Sequence, residues 1–197
     1  MSRCVAIDAR LDALQTGDGR RLPQHLKAQV CRELDRLELL LEQIKAVEAE
    51  RDALLDAEQT KASAPPPRLL GVHGVGPEFA SVLWSEGLSR HFDNRRQVAA
   101  YAGLAPTPWQ SGSVNREQGI SQSGNRRLRT MMIQLAWLWL RHQPRSALTL
   151  WFKDRMERHG VRRRKTTIVA LARKLLVALW KYVSAGVVIE GAMIRPA

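Results

Sequence analysis

Cysteine is nearly absent from this chain of 197 residues: Cys4 and Cys31 are the two it has. Two thiols cannot build a disulfide framework or a four-thiolate zinc site. No C-x-x-C or H-E-x-x-H occurs and the five histidines are scattered, so no motif calls for a metal in this chain. No N-terminal stretch has the order of a secretory signal. Long uncharged apolar runs are missing too. The most apolar segment, Thr166–Ile189, is interrupted by Arg173, Lys174 and Lys181, which a bilayer span would not readily tolerate. Together these absences predict a soluble, cytoplasmic protein in a reducing compartment, with no membrane partner.

Acidic residues are scarce in a particular place. The chain as a whole carries a net charge of +12, with a sequence pI near 10.8. Residues 27–60 hold nine acidic and five basic side chains, a net charge of −4, whereas residues 61–197 hold seven acidic and twenty-two basic, a net charge of +15. Such a basic region favours a polyanion as partner, and it puts the contact surface in the last two thirds of the chain.

What is present is mostly helical pattern. In residues 24–60, Leu26, Val30, Leu34, Leu37, Leu41 and Ile44 recur at steps of four and three, close to a heptad seam, among Glu and Arg. The seam weakens where Glu48 and Arg51 take the expected positions. A helix this long and this solvated predicts an antiparallel or intermolecular coiled coil, with a homo-oligomer as the expected outcome; the bland alternative is a helix packed on its own core. Pro23 stands just before it, and the run "SAPPP" at Ser63–Pro67 marks a linker over 61–67. Residues 68–190 form the second domain and 1–23 a short remnant. The second domain reads as short helices at Leu69–Gly71 and about Pro77–Glu86, then one over "FDNRRQVAAYAGL" with Asp93 as cap and Gly103 as stop. An irregular loop rich in Gly, Pro, Ser and Thr follows, with room for a small β-hairpin. Three helices close the chain at about Asn125–Arg141, Ala147–Arg158 and Thr166–Ser184. The fold class is mainly α: a long coiled-coil helix followed by a compact helical domain.

Three features of that domain can carry chemistry. The stretch "GVHGVGPEFASVL" has the form of a helix-hairpin-helix, in which Gly74, Val75 and Gly76 would turn backbone N–H groups toward a phosphate; the bland alternative is an ordinary glycine turn. Two basic clusters sit at helix starts: Arg126, Arg127 and Arg129, and Arg162, Arg163, Arg164 and Lys165. Cations there oppose the helix dipole, so local stability does not explain them, whereas an anion does. The loop offers Ser111, Ser113, Ser121 and Ser123. Most loop serines serve local backbone groups, and Ser123 is placed to cap the next helix. Ser111 differs in lying between "PWQ" and a glycine, in a loop framed by Arg116 and the Arg126 cluster. A serine among arginines suits phosphoryl transfer better than acyl transfer.

Joined, the stretches "RLLGVHGVGPEFASVLW", "FDNRRQVAAYAGLAPTPWQSG", "NREQGISQSGNRRLR" and "IVALARKLLVALWKY" closely resemble the C-terminal half of transposases of the insertion-sequence-110 family. The resemblance covers roughly residues 20–190. It implies a transposase domain whose serine nucleophile forms a phosphoserine link to a DNA end, with Ser111 of "QSG" at the matching position. It also implies a structured guide RNA as a further partner. Family members carry a RuvC-like domain ahead of a coiled coil, with metal held by four acidic residues. Twenty-odd residues cannot hold such a domain, so Mg2+ is expected only in that absent half, and the chain is expected to be a truncated copy or one half of a split reading frame. Gln122 stands where the family's "ISK-GN" has lysine. The expected function is DNA transposition by serine attack on a phosphodiester. The alternative is a non-catalytic nucleic-acid-binding module that dimerises through its coiled coil.

Overall fold

A computed structural model describes residues 13–59, 65–111 and 114–195, with side chains described over 13–54, 68–106 and 119–195. It is mainly α. Among the described residues there are seven α-helices: α1 (Gln24–Gln59), α2 (Pro65–Gly71), α3 (Pro77–Leu83), α4 (Arg95–Tyr101), α5 (Arg126–His142), α6 (Ala147–His159) and α7 (Arg164–Ala185). A two-stranded antiparallel ribbon, β1 (Pro106–Ser111) and β2 (Val114–Ile120), lies between α4 and α5. Two compact units divide the chain, Met1–Arg51 and Asp52–Ala197.

In the first unit a tight turn precedes the long helix. Gly19 N–H donates to the Thr16 carbonyl at 2.8 Å, and the Pro23 carbonyl accepts from Leu26 and Lys27 N–H at 3.0 and 3.1 Å, which starts α1. The expected stripe is there and is bare: Leu26, Val30, Leu37, Leu41 and Ile44 are 37–52% exposed, and Leu34 is half-buried. Val47, exposed as well, carries the stripe a turn beyond Ile44, although the sequence pattern weakens there at Glu48 and Arg51.

The second unit is built around α5 and α7. The run "MMIQLAWLWL" buries Met132, Leu135, Ala136 and Trp139, which belong to one cluster with Leu171, Leu175, Leu176 and Leu179 of α7. Those residues recur at helical spacing, so each helix turns one apolar face to the other. Lys174 and Lys181 lie on an exposed face of α7. α6 adds Phe152, and α2, α3 and α4 add Leu69, Ala80, Leu83 and Val98.

Several local expectations change. Pro65, Pro66 and Pro67 open α2 instead of forming a linker; a helix's first-turn N–H groups have no intrahelical acceptor, so proline loses nothing there. α3 ends at Leu83 and runs into a wider π turn over Trp84–Leu88. The cap of α4 is Asn94, not Asp93: its side chain accepts from Arg96 and Gln97 N–H, while Asp93 exchanges hydrogen bonds with Gln97. The cap of α5 is Asn125, not Ser123, and accepts from Leu128 N–H at 2.9 Å. The loop after Gly103 is largely the ordered ribbon.

Candidate nucleic-acid interface

The turn from Val72 to Gly76 joins α2 to α3. Its position is set by a buried polar residue that no sequence pattern singles out, Gln143, at the C-terminal end of α5. The Gln143 amide donates to the carbonyls of His73 (2.8 Å) and Met193 (3.0 Å) and accepts from Met193 N–H (2.8 Å), and His73 N–H also donates to the Met193 carbonyl. The Gln143 carbonyl in turn accepts from Ser146 and Thr149, and Ser146 accepts from the Trp139 indole at 2.8 Å. Every buried side-chain N or O among the described residues has a partner. A fully satisfied buried network fixes geometry, because breaking any member strands another. The turn is therefore held rigidly from behind.

The two glycines of the turn differ. Gly74 has φ +92°, and a Cβ there would stand 2.9 Å from Cβ of His142, so the fold itself requires glycine. Gly76 has an ordinary φ of −87°, and a Cβ there would meet nothing within 4 Å. Among the described residues, neither backbone conformation nor contacts ask for glycine at that position. Val75 is buried and its N–H already donates to the Val72 carbonyl at 3.0 Å, so the N–H groups of Gly74 and Gly76 are the ones without an acceptor among the described residues.

The Arg126 cluster has a divided role. Arg127 pairs with Glu86 at 3.2 Å, and Arg129 donates to the Gln122 carbonyl at 2.8 Å, holding the loop before α5. Asn125 adds a bond to Glu86 at 2.8 Å. This loop is pressed against the end of α4: a Cβ on Gly103 would lie 2.1 Å from the Ser123 carbonyl oxygen, and one on Gly124 would lie 2.4 Å from that of Tyr101. Ser121 and Ser123 hydrogen-bond to each other at 3.2 Å. Arg126 is exposed. In the second cluster, Arg162 and Arg163 lie in a short 3-10 turn, and Arg164 and Lys165 open α7, whose first turn has no acidic residue. Arg164 stacks over Trp137 at 4.9 Å, eleven residues along α5 from Arg126 and so about 16 Å away at helical rise. The two clusters are separate places on the second unit.

The ribbon springs from the locked loop. Ser121 N–H donates to the Ala105 carbonyl, and Pro106 pairs with Ile120 at the base. Trp109 pairs with Arg116, and Ser111 with Val114, the last pair. Ser111 is five residues beyond Pro106, about 17 Å along the ribbon at strand rise. The side chains of Ser111 and Arg116, and all of Ser113, lie outside the described residues. No group of three or more His, Cys, Asp and Glu that could hold a metal ion occurs among the described residues, and no helix there is long and apolar enough to cross a membrane.

Residues 67–151, which hold the glycine turn, the ribbon and the Arg126 cluster, match the model of the transposase IS116/IS110/IS902 family. The chain belongs to this family of insertion-sequence transposases. It is 69% identical over 194 residues to the y4rJ transposase homologue of Sinorhizobium fredii, covering 94% of this chain and 49% of that protein. It is 37% identical over 123 residues to the transposase of insertion element IS1111A from Coxiella burnetii, covering 61% of this chain and 33% of that one. A pilin gene-inverting protein of Moraxella bovis is 33% identical over 110 residues, 55% of this chain and 33% of the other. The chain thus spans about half, or less, of the length of the curated relatives it matches.

Proposed function

We propose that this chain is the DNA-joining portion of an insertion-sequence transposase and that Ser111 is its nucleophile. The observation that carries the reading is the family match across 67–151, which takes in Ser111 at the last pair of a ribbon rooted in a locked loop. In the proposed step the Ser111 hydroxyl oxygen attacks a DNA phosphorus. An O–P bond forms, the P–O bond to one sugar oxygen breaks, and that oxygen leaves as a hydroxyl, taking up the proton the serine loses. A hydroxyl of the joining strand later attacks the phosphoserine and restores the serine. The phosphodiester energy is conserved in the link, so no further reactant is needed. Arginine stabilises the charge that builds on the phosphate oxygens; Arg116, Arg126, Arg127 and Arg129 are the candidates. The Gly74 and Gly76 N–H groups and the Arg162–Lys165 cluster would grip the DNA backbone away from the reacting phosphate.

Mg2+ belongs, in this reading, to a RuvC-like domain outside this chain. The stripe on α1 is covered, in this reading, by α1 of a second copy. The test is strand transfer with the RuvC-like half supplied by a relative. Ser111→Ala should abolish transfer and leave DNA affinity unchanged; transfer that persists in this variant would contradict the serine mechanism.

A further inference from the structure

A groove of about 600 Å³ runs between α4 and α7, and no residue of the two basic clusters described above lines it. Five cations line it: Arg95 and Arg96 from the first turn of α4, and Arg173, Lys174 and Lys181 from α7. Its floor is small and apolar, with Ala170, Val177 and Ala178. Among the described residues, no carboxylate lines it. Among the described ion pairs none uses Arg95, Arg96, Arg173 or Lys181. Lys174 is fixed by a different interaction, its ammonium lying 4.8 Å from the centre of the Trp151 ring.

Five like charges facing a common space repel one another, and for Arg95, Arg96, Arg173 and Lys181 no described ion pair offsets that repulsion. They are also not scattered. Arg173 and Lys181 are eight residues apart on α7, which separates them by about 12 Å along the helix. Arg95 and Arg96 add charge from the opposite wall. A smooth apolar floor between two charged walls lets a polyanion lie close without losing hydrogen bonds to buried polar groups. A chain of phosphates is the ligand whose repeated charge this arrangement matches.

We infer that the groove between α4 and α7 is a second DNA-backbone site, engaged by the phosphates of a DNA segment other than the one at the glycine turn. The inference rests on reading the chain as a protein that acts on DNA. It makes each copy of the domain a two-point clamp, so that the DNA held at the groove need not be the DNA presented to Ser111.

The test uses the full chain and a DNA duplex of arbitrary sequence, with binding measured across a range of salt concentrations. Removing one cation that neutralises a phosphate flattens the slope of log K against log salt by about 1. Arg95→Gln, Arg173→Gln and Lys181→Gln together should flatten it by about 3, while Arg173→Lys and Lys181→Arg should keep the wild-type slope. Arg95, Arg173 and Lys181 are exposed, so the melting temperature should not move. A triple variant with the full wild-type slope, alongside an Arg162→Gln, Arg163→Gln variant with a flattened one, would overturn the groove site. So would a flattening seen only with RNA of the same length. These outcomes are separable from the serine reading: a chain that forms an adduct at Ser111 but keeps its slope in the triple variant loses only the groove. A chain without any adduct whose slope still falls loses only the serine and keeps the groove.

Discussion

In α1, Leu37 and Leu41 are 51% and 47% exposed; in α7, Leu171, Leu175 and Leu179, at similar helical spacing, are 0% exposed. Both helices carry an apolar stripe, and the same physics makes both stripes avoid water. α7 finds its cover within its own unit, in the leucines, alanine and tryptophan of α5. Among the described residues, α1 has no such cover in the unit to which most of it belongs. A periodic stripe therefore says that a face must be covered, and only the folded chain says whether the cover comes from within. The same division runs through the glycine turn, where Gly74 answers to His142 and Gly76 answers to nothing among the described residues.

The largest effect should come from attacking α1. Leu37→Asp with Leu41→Asp would bury unpaired charge in any helix pair, and self-association should be lost outright. The second unit should melt as before. Sedimentation equilibrium reads the first outcome and thermal unfolding the second. A wild-type chain that is already monomeric would rule out a second copy as the cover of α1.

A smaller effect separates the glycines. Gly74→Ala forces a Cβ against His142 at a positive φ and should cost about 2 kcal/mol in chemical denaturation. Gly76→Ala should leave stability within about 0.5 kcal/mol. It should weaken DNA binding by roughly tenfold, as one bond to a charged oxygen is obstructed. Equal stability losses in the two variants would erase the distinction between them.

The smallest contrast lies at the start of α5. Asn125→Ala should cost about 1 kcal/mol, because its side chain caps the helix, whereas Ser123→Ala should cost less than about 0.5 kcal/mol. The reverse order would restore Ser123 as the cap.

How much of this can be read in the sequence depends on how far apart the interacting residues lie. The bounds of α1, the start of α6 and the stop at Gly103 follow from local pattern, and the structure keeps them. The caps differ by one or two residues because Asp93, Asn94, Ser123 and Asn125 are all competent acceptors, and only the final backbone geometry selects among them. Gln143 leaves no mark in the sequence. Its partners His73 and Met193 are 70 and 50 residues away, and no periodicity marks a lone glutamine after a helix. Position along the chain suggests Arg127 and Arg129 as phosphate ligands, yet each also ties down a neighbouring segment, through Glu86 and Gln122. The groove between α4 and α7 joins residues from two distant stretches, so charge along the sequence reveals its cations without revealing their convergence. Ser111, the proposed nucleophile, is singled out by the joined motifs alone, and the family match takes in its position without assigning it a role.

The central claim is the phosphoserine. A DNA substrate with a strand break that traps the covalent intermediate, incubated with this chain and a RuvC-like half from a relative, should yield a protein–DNA adduct. Mass spectrometry of the digested adduct should map it to the peptide containing Ser111, and to no other serine. An adduct on Ser113 or Ser123 would contradict the assignment of the nucleophile. Strand transfer with no serine adduct at all would contradict the mechanism.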